Sequence, residues 1–404
     1  MASPYIGTPT VKYSGTWAVD GNDRLRDVDP NVTVYDEEST PFMSYLSMTK
    51  GRTRPTRQTE FEWYENQYDQ GVFQIDAGFD GGSATETVTI NTPAVIRGAG
   101  YVEDKSEQMF IVTAVSNRTS SACDITVALL PAGTIQAVAG PVKLSSIGNL
   151  LIENGAFLDA VGTTPVRLTN TISKTDASIA VTAEEAISPN YWGSKWERDR
   201  EFSIQQFRKD MERNLLRSKY SITLDFAQTS DNGSRTGTLR TTRGLLNTIQ
   251  TNRVGYLGTL NEATLDKYLR TGVWPTKYSG SSIKLSFWGP DAMNAINSDL
   301  KQKIRILELG RQNYGFDLAM YTTFGNRRIL IALEQEFYDI PSLQAGIVTV
   351  DPKNVYLRQY GANLMEVIDT SLQYVHGKSA SMVAMYGMEA RWEMSHSMLL
   401  QTTV

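Results

Sequence analysis

The sequence predicts a mixed α+β chain in which strands outnumber helices. Three observations carry this reading. Residues 194–226, SKWERDREFSIQQFRKDMERNLLRSKYSITLDF, form one long run with helical periodicity. Residues 85–165 break into short apolar stretches separated by Gly and Pro. From about residue 240, strand-like and helix-like segments alternate.

The chain has 404 residues, which suggests two or three packed units. Its 41% hydrophobic share is enough for a core that needs neither disulfides nor metals. The single cysteine, Cys123, rules out an internal disulfide and fits synthesis in a reducing cytosol. Within SACDITVALL it reads as a small buried hydrophobe. The net charge of -5 argues against a protein whose main work is gripping nucleic acid. The opening MASPYIGTPTVKYSG has neither the basic start nor the apolar stretch of a signal peptide. No run approaches the roughly 18 apolar residues of a membrane helix, so no membrane partner is expected. Asn31, Asn117 and Asn232 match the glycosylation pattern, which without secretion is a chance match.

Residues 1–56 read as an extended arm. Pro4, Pro9, Pro30, Pro41 and Pro55 punctuate it, and only SYLSM suggests a helical turn. Tyr5, Trp17, Tyr35, Phe42 and Tyr45 are too apolar for a disordered tail, so the arm is expected to lie along an apolar surface. Lys50, Arg52, Arg54 and Arg57 form a local basic cluster, read either as a solvated loop or as contact with a polyanion or an acidic neighbour. In RQTEFEWYENQY (57–68), Phe61 and Trp63 alternate with Glu60, Glu62 and Tyr64, a strand pattern. The punctuated strands of 85–165 suggest a small barrel or sandwich. VRLTNTISKTDASIAVTAEEAI (166–187) alternates again and is expected to return beside 57–68.

In the long run, Ile204, Phe207, Met211 and Leu215 recur at spacings of three and four and form one apolar stripe. Trp196 and Ile222 lie near the same face. A rod of some 30 residues spans about 45 Å. One side is expected to pack on a sheet. TSDNGSRTGT (229–238) reads as a mobile loop. GLLNTIQTN suggests a short helix, and NEATLDKYLRTG a helix capped by Asn261 with Gly272 just past its end. SSIKLSFWGP reads as a strand, after which Pro290 opens a helix. DLAMYTTFGNRRILIALEQ reads as a hairpin with a two-residue turn at Gly325-Asn326. GIVTV, VYLRQY, EVIDTS and MVAMYGMEARWEM are the closing strands.

Residue clusters that do chemistry are missing from this pattern. His376 and His396 have no carboxylate or cysteine at ligand spacing, so no metal site is expected, and they read as a turn residue and a strand position beside the core. The sequence has no GxSxG elbow, Walker pattern or GxGxxG after a strand, and so no cofactor is expected. DGNDRLRDVD fails as a calcium loop because Arg24 stands where an oxygen ligand is needed. Glu37-Glu38 and Glu184-Glu185 are adjacent, so in strands they would face opposite ways. No catalytic residues are assigned. Two alternatives remain: a β-rich carbohydrate-binding or tail-associated virion protein that uses its aromatics as a stacking platform, and a glycosidase whose acids are brought together by folding.

The order of parts resembles the major capsid proteins of tailed bacteriophages, with the Hong Kong 97-type fold. TPFMSYLSMTKGRTRPTRQTEFEWYENQ (40–67) resembles the end of that family's N-terminal arm entering its extended loop. RLTNTISKTDASIAVTAEEAI (167–187) resembles the returning strand, and WERDREFSIQQFRKDMERNLL (196–216) the start of the spine helix. TRGLLNTIQTN (242–252), MYTTFGNRRILIAL (320–333), VTVDPKNVYLRQY (348–360) and MEARWEM (388–394) resemble the passage into the axial domain and the later strands. Within the family the chain looks closest to members from N4-type short-tailed phages.

The resemblance implies an N-terminal arm at 1–56 and an extended loop at 57–187 with an inserted β domain at about 85–165. It implies a peripheral domain with the spine helix at 188–239, an axial domain at 240–345, and returning strands at 346–404. It also implies a non-enzymatic shell protein of the virion. Such a protein assembles with itself into hexamers and pentamers, encloses double-stranded DNA without sequence specificity, and meets a portal and a decoration protein. Arg52, Arg54, Arg57, Glu60, Glu62 and Trp63 are the expected inter-subunit contacts, while Ile204, Phe207, Met211 and Leu215 pack the spine helix. No motif places a lysine–asparagine crosslink.

Overall fold

The computed structural model describes residues 40–402 apart from 49–50, 67–71, 91–98, 118–122, 150–163, 188–193, 231–232, 276–278, 300–303, 308–317, 362–363 and 371–376. Most of the arm (1–39) and His376 therefore lie outside the described residues.

The first sheet runs in the order β1 (Thr53–Thr56), β21 (Val355–Tyr360), β23 (Gly377–Ala390), β12 (Ser173–Thr182). β22 (Met365–Asp369) joins the early part of β23, on the edge whose later part takes β21. Only the β1–β21 pair is parallel. Two helices cover this sheet: α1 (Pro41–Met48) and the long α3 (Lys195–Arg217). Phe207, Met211 and Leu215 from α3 share one core with Phe42 and Leu46 from α1 and with Leu357, Met382, Ala384, Tyr386 and Met388 of the sheet.

α3 stops at Arg217, nine residues short of the expected end of the rod. Its 23 residues span about 35 Å. The apolar stripe runs out at Leu215 and Leu216, and beyond Ser218 the period changes from 3.6 to two. Ile222, Leu224 and Phe226 alternate with Thr223, Asp225 and Ala227 and form β13 (Ile222–Ser230), which pairs with β14 (Gly233–Thr241) in a two-stranded hairpin. The expected loop at 229–238 is therefore mostly strand. Ser230 pairs with Gly233, and residues 231 and 232 lie outside the described residues.

The return from the loop also divides. β11 (Val166–Thr171) pairs antiparallel with β2 (Glu60–Glu65), as the alternation suggests. After buried Ile172 the chain crosses to the first sheet as β12, pairs with β23 along its whole length, and closes with a short helix, α2 (Ala183–Ile187).

The β-rich excursion builds an antiparallel six-stranded sheet in the order β3 (Val72–Ile75), β10 (Val142–Asn149), β6 (Ala99–Glu103), β7 (Met109–Ser116), β8 (Cys123–Leu130), β5 (Thr85–Ile90). β4 (Gly78–Phe79) and β9 (Val138–Ala139) add a small second ladder. The sheet begins at Val72, upstream of residue 85. It encloses its own core of Phe73, Ile75, Phe79, Phe110, Ile125 and Val127, among others. Phe73 meets Tyr101 edge-on and Phe79 stacks on Phe110, each pair with centroids 4.8 Å apart. Cys123 is buried in this core.

The third sheet has seven strands: β15 (Arg253–Tyr256), β24 (Ser397–Gln401), β20 (Ile347–Val350), β16 (Ile283–Trp288), β19 (Arg328–Leu333), β18 (Leu318–Thr322), β17 (Ile304–Leu307). Its helices are α5 (Glu262–Tyr268), α6 (Pro290–Asp299) and α7 (Pro341–Gln344), while α4 (Leu245–Thr248) packs on α3 and β23. Asn261 caps α5 by accepting from the Thr264 amide at 2.9 Å. Gly272 does not end that helix. The chain continues through a π-helical turn, Leu269–Val273, where a Cβ on Gly272 would lie 2.9 Å from the Tyr268 ring. The hairpin of β18 and β19 closes through five residues, 323–327, and not two, because Thr322 pairs with Arg328. Gly325 and Asn326 still take the positive φ angles of 64° and 58° that the dipeptide suggests.

Candidate subunit-contact surface

β1 is an edge strand of the first sheet, and Arg52 and Arg54 alternate onto one of its faces. There the Arg54 guanidinium lies 3.5 Å from the centre of the Tyr356 ring, with Arg52 at 5.4 Å and Arg391 at 5.5 Å. Arg54 Nη1 also approaches Glu389 Oε1 at 3.4 Å. Arg358 and Arg391 donate their Nε groups to the two oxygens of the same carboxylate. Glu389 is fully buried on the central strand β23, so an ionised carboxylate there depends on these guanidiniums.

The other expected contact residues divide by the pleat of β2. Glu60 and Glu62 face water, and Glu62 pairs across to Arg167 at 3.5 Å. Arg57 and Glu60 are exposed and form no ion pair among the described residues. Trp63 turns inward. It stacks beside Phe61 over Ile172 and donates its indole N–H to Glu65 Oε1 at 2.8 Å. The same Glu65 oxygen accepts the amide of Trp392, a residue held at φ 51°. One carboxylate thus fastens the β2–β11 ribbon to the turn before β24. Tyr64 and Val166, near the far end of the ribbon, are more than 60% exposed. Ile222, Leu224, Phe226 and Leu239 on the β13–β14 hairpin are also exposed.

Along α3, Phe207, Met211 and Leu215 are buried, while Ile204 sits half-buried at the rim of the core with Trp196. Beside the stripe lie two charged residues that hydrophobic periodicity passes over: Lys209 and Glu212 are both buried. Glu212 Oε1 accepts the Phe42 amide at 2.8 Å, pinning the first turn of α1 to α3. Near it, just beyond β19, is Glu334, also fully buried, with Oε1 accepting from the Glu336 amide at 3.3 Å. Burial is the main reason that Glu212 is pushed well above the carboxylate range, and the Glu334 charge adds to it. Burial also pushes Glu334 up, to about 8. Oε2 of each acid has no hydrogen-bond partner among the described residues. Both acids are thereby held toward the protonated form.

Glu389, Glu65, Glu212 and Glu334 all escape sequence reasoning, but two of them leave a trace. Glu212 is four residues before buried Leu216, on the flank of the stripe. Glu389 alternates with Met388 and Ala390 inside an apolar strand.

His396 is fully buried. Its Nδ1 accepts the Asp351 amide at 3.1 Å and its Nε2 lies 3.1 Å from the Arg391 carbonyl. Burial, and then the nearby Lys284 charge, lower it to about 4, so it is a neutral structural residue at pH 7. Lys284, lowered to about 8 chiefly by burial, donates to the carbonyls of Val273 and Ser395 at 2.9 and 2.6 Å. No group of three or more metal-ligating side chains occurs among the described residues. None of their helices is long and apolar enough to cross a membrane.

The sequence matches the family model of the SU10 major capsid protein over residues 8–403. No curated protein matches. Among solved structures the chain is similar to one from Mycobacterium phage Cain, at 8% identity over 96% of this chain and 99% of that one, TM-score 0.47. It is similar to a chain of the mature capsid of bacteriophage PhiM1, at 10% identity over the whole of both, TM-score 0.45. It is also similar to a chain of the holo-SrpI encapsulin complex from Synechococcus elongatus, at 12% identity over 59% of this chain and 77% of that one, TM-score 0.43. The assignment rests on the sequence match, which leaves out only seven residues at the start and one at the end: the chain belongs to the SU10 major capsid protein family.

Proposed function

We propose that this chain is the subunit of an icosahedral virion shell of Hong Kong 97 type, assembling with itself into hexamers and pentamers around double-stranded DNA. The observation that carries the reading is the family match across residues 8–403. In this reading the protein is structural and non-enzymatic. α3 is the spine helix. The β2–β11 ribbon is the base of the extended loop that overlaps a neighbouring subunit, and the β3–β10 sheet is the domain inserted on it. The seven-stranded sheet faces the capsomer axis, and residues 1–56 clasp another copy. The portal and a decoration protein are the further partners, and placement with N4-type short-tailed phages is the narrower form of the reading.

Exposed apolar residues at the ribbon and on the β13–β14 hairpin support it, since both are two-stranded ladders with open edges. The mildly acidic chain suits a container, because a strongly basic lining would hold the DNA back from ejection. The test is to express the full chain and image it by negative-stain microscopy alongside light scattering. Closed shells or capsomer-sized rings are expected. A stable monomer at assembly concentrations would overturn the assignment of function.

A further inference from the structure

Four arginines crowd one carboxylate at the edge of the first sheet. Arg54 is the direct partner of Arg358 in the β1–β21 register, and Tyr356 is the partner of Glu389 in the β21–β23 register. The pleat puts Arg52, Arg54, Tyr356, Arg358 and Glu389 on the face opposite Leu357 and Met388, which lie in the core with α3. Both oxygens of Glu389 are already taken, by Arg358 Nε and Arg391 Nε. Arg54 Nη1 is left at 3.4 Å, and Arg52 forms no ion pair among the described residues. Four positive charges less one negative leave the cluster at +3. Like charges this close repel, and an added anion relieves that repulsion.

Tyr356 organises the array. Its hydroxyl donates to the Lys353 carbonyl at 2.7 Å, and the guanidiniums of Arg54, Arg52 and Arg391 lie 3.5, 5.4 and 5.5 Å from its ring centre. The Arg54 and Arg391 side chains keep 32% and 35% exposure, while that of Glu389 has none. A guanidinium that gives one N–H to Glu389 retains the others, in a planar fork suited to a second oxyanion. A carboxylate offers one charge on two coplanar oxygens and would leave most of the excess in place. A phosphate carries up to about two charges on oxygens set tetrahedrally, and so accepts forks that arrive from β1 and from the turn after β23 together.

We propose that Arg52, Arg54 and Arg391 form a binding site for a phosphate group. When occupied, it ties edge strand β1 to the turn after β23 and stiffens the point where the chain enters the first sheet. The group is a free phosphate or part of a DNA backbone, and the recognising chemistry is the same. The site goes beyond the shell reading and stands without it, since a single chain carries all three arginines.

The test titrates the full-length chain with pyrophosphate by calorimetry at fixed ionic strength, with acetate as the carboxylate counterpart. Saturable binding is expected, with a melting temperature that rises as the site fills. Arg52→Gln touches none of the Glu389 bonds, so its melting temperature without ligand should match wild type. Its affinity for pyrophosphate should fall about tenfold, the loss of one charge-assisted contact. Arg57→Gln, at an exposed arginine just beyond β1, should bind as wild type. Equal losses in the two variants would mean diffuse attraction and overturn the site. So would an affinity that Arg52→Gln leaves unchanged, or no pyrophosphate binding at all. Acetate binding as tightly as pyrophosphate would also overturn it, in favour of a carboxylate partner. A short DNA duplex that displaces pyrophosphate would identify the backbone as the source, and one that does not would identify a free phosphate. Either result upholds the site.

Discussion

Glu389 and the Glu212–Glu334 pair solve the same problem in opposite ways. A carboxylate out of water must be matched by cations or must keep its proton. Glu389 has guanidiniums from Arg54, Arg358 and Arg391, so replacing it with Gln strands their charges at a partly buried site. A loss of about 3–5 kcal/mol is expected, the range for breaking a buried pair by removing one partner, and urea denaturation measures it. Glu212 and Glu334 are held toward the protonated form instead. Both native values lie above the ordinary carboxylate value of 4.5, Glu334 reaching about 8. In this window the native state binds the proton that the unfolded chain has released. Stability is therefore full below about pH 4.5 and falls as pH rises toward 8, by up to about 1.4 kcal/mol per pH unit for each proton involved. Charged groups close to the pair in sequence on the packed elements include Lys209, Asp210, Arg213 and Glu336, and Arg213 bonds Asp210 and Glu336. Glu334→Gln, which removes one of the two titrating carboxyls, is expected to flatten the melting temperature between pH 5 and 8. An unchanged slope would mean that other groups set it.

At the scale of elements, the stripe on α3 predicts a graded mutational response. Phe207→Ala and Leu215→Ala empty sites at the centre of the main core and are each expected to cost about 3–5 kcal/mol. Ile204→Ala, at the half-buried rim, is expected to cost clearly less, and chemical denaturation of the three variants gives the ranking. What was legible in the sequence follows from the same physics. A stripe at spacings of three and four, a period-two strand at Glu60–Glu65 and a capping asparagine at 261 each depend on residues close together in the chain. They fold as read. The end of α3 was misread because Ile222 falls near the stripe's face, although the switch to alternation at Ile222, Leu224 and Phe226 was already present. The crossing of β12 to β23 and the approach of Arg54 to Glu389 join residues some 200 to 340 positions apart, and no local pattern encodes such meetings.

For the molecule as a whole, the core that holds α3 and the core inside the six-stranded sheet share no residue. The second draws only on residues 73–144, among them Phe79, Phe110 and Val142, and the β2–β11 ribbon stands between it and the rest of the chain. A cooperative unit is a set of groups whose burial is mutual, so two cores without shared members are expected to melt as two transitions. Phe110→Ala deletes a fully buried ring that stacks on Phe79, and it should lower only the transition belonging to the inserted sheet. Phe207→Ala should lower only the other. Differential scanning calorimetry of the unassembled subunit reads both at once, with each variant displacing one peak by several degrees and leaving its partner in place. A single peak that both substitutions move together would show that the ribbon couples the two cores into one unit. The sheet would then be a structural part of the shell wall. Two independent peaks would instead describe a module that is carried on the subunit and folds on its own terms.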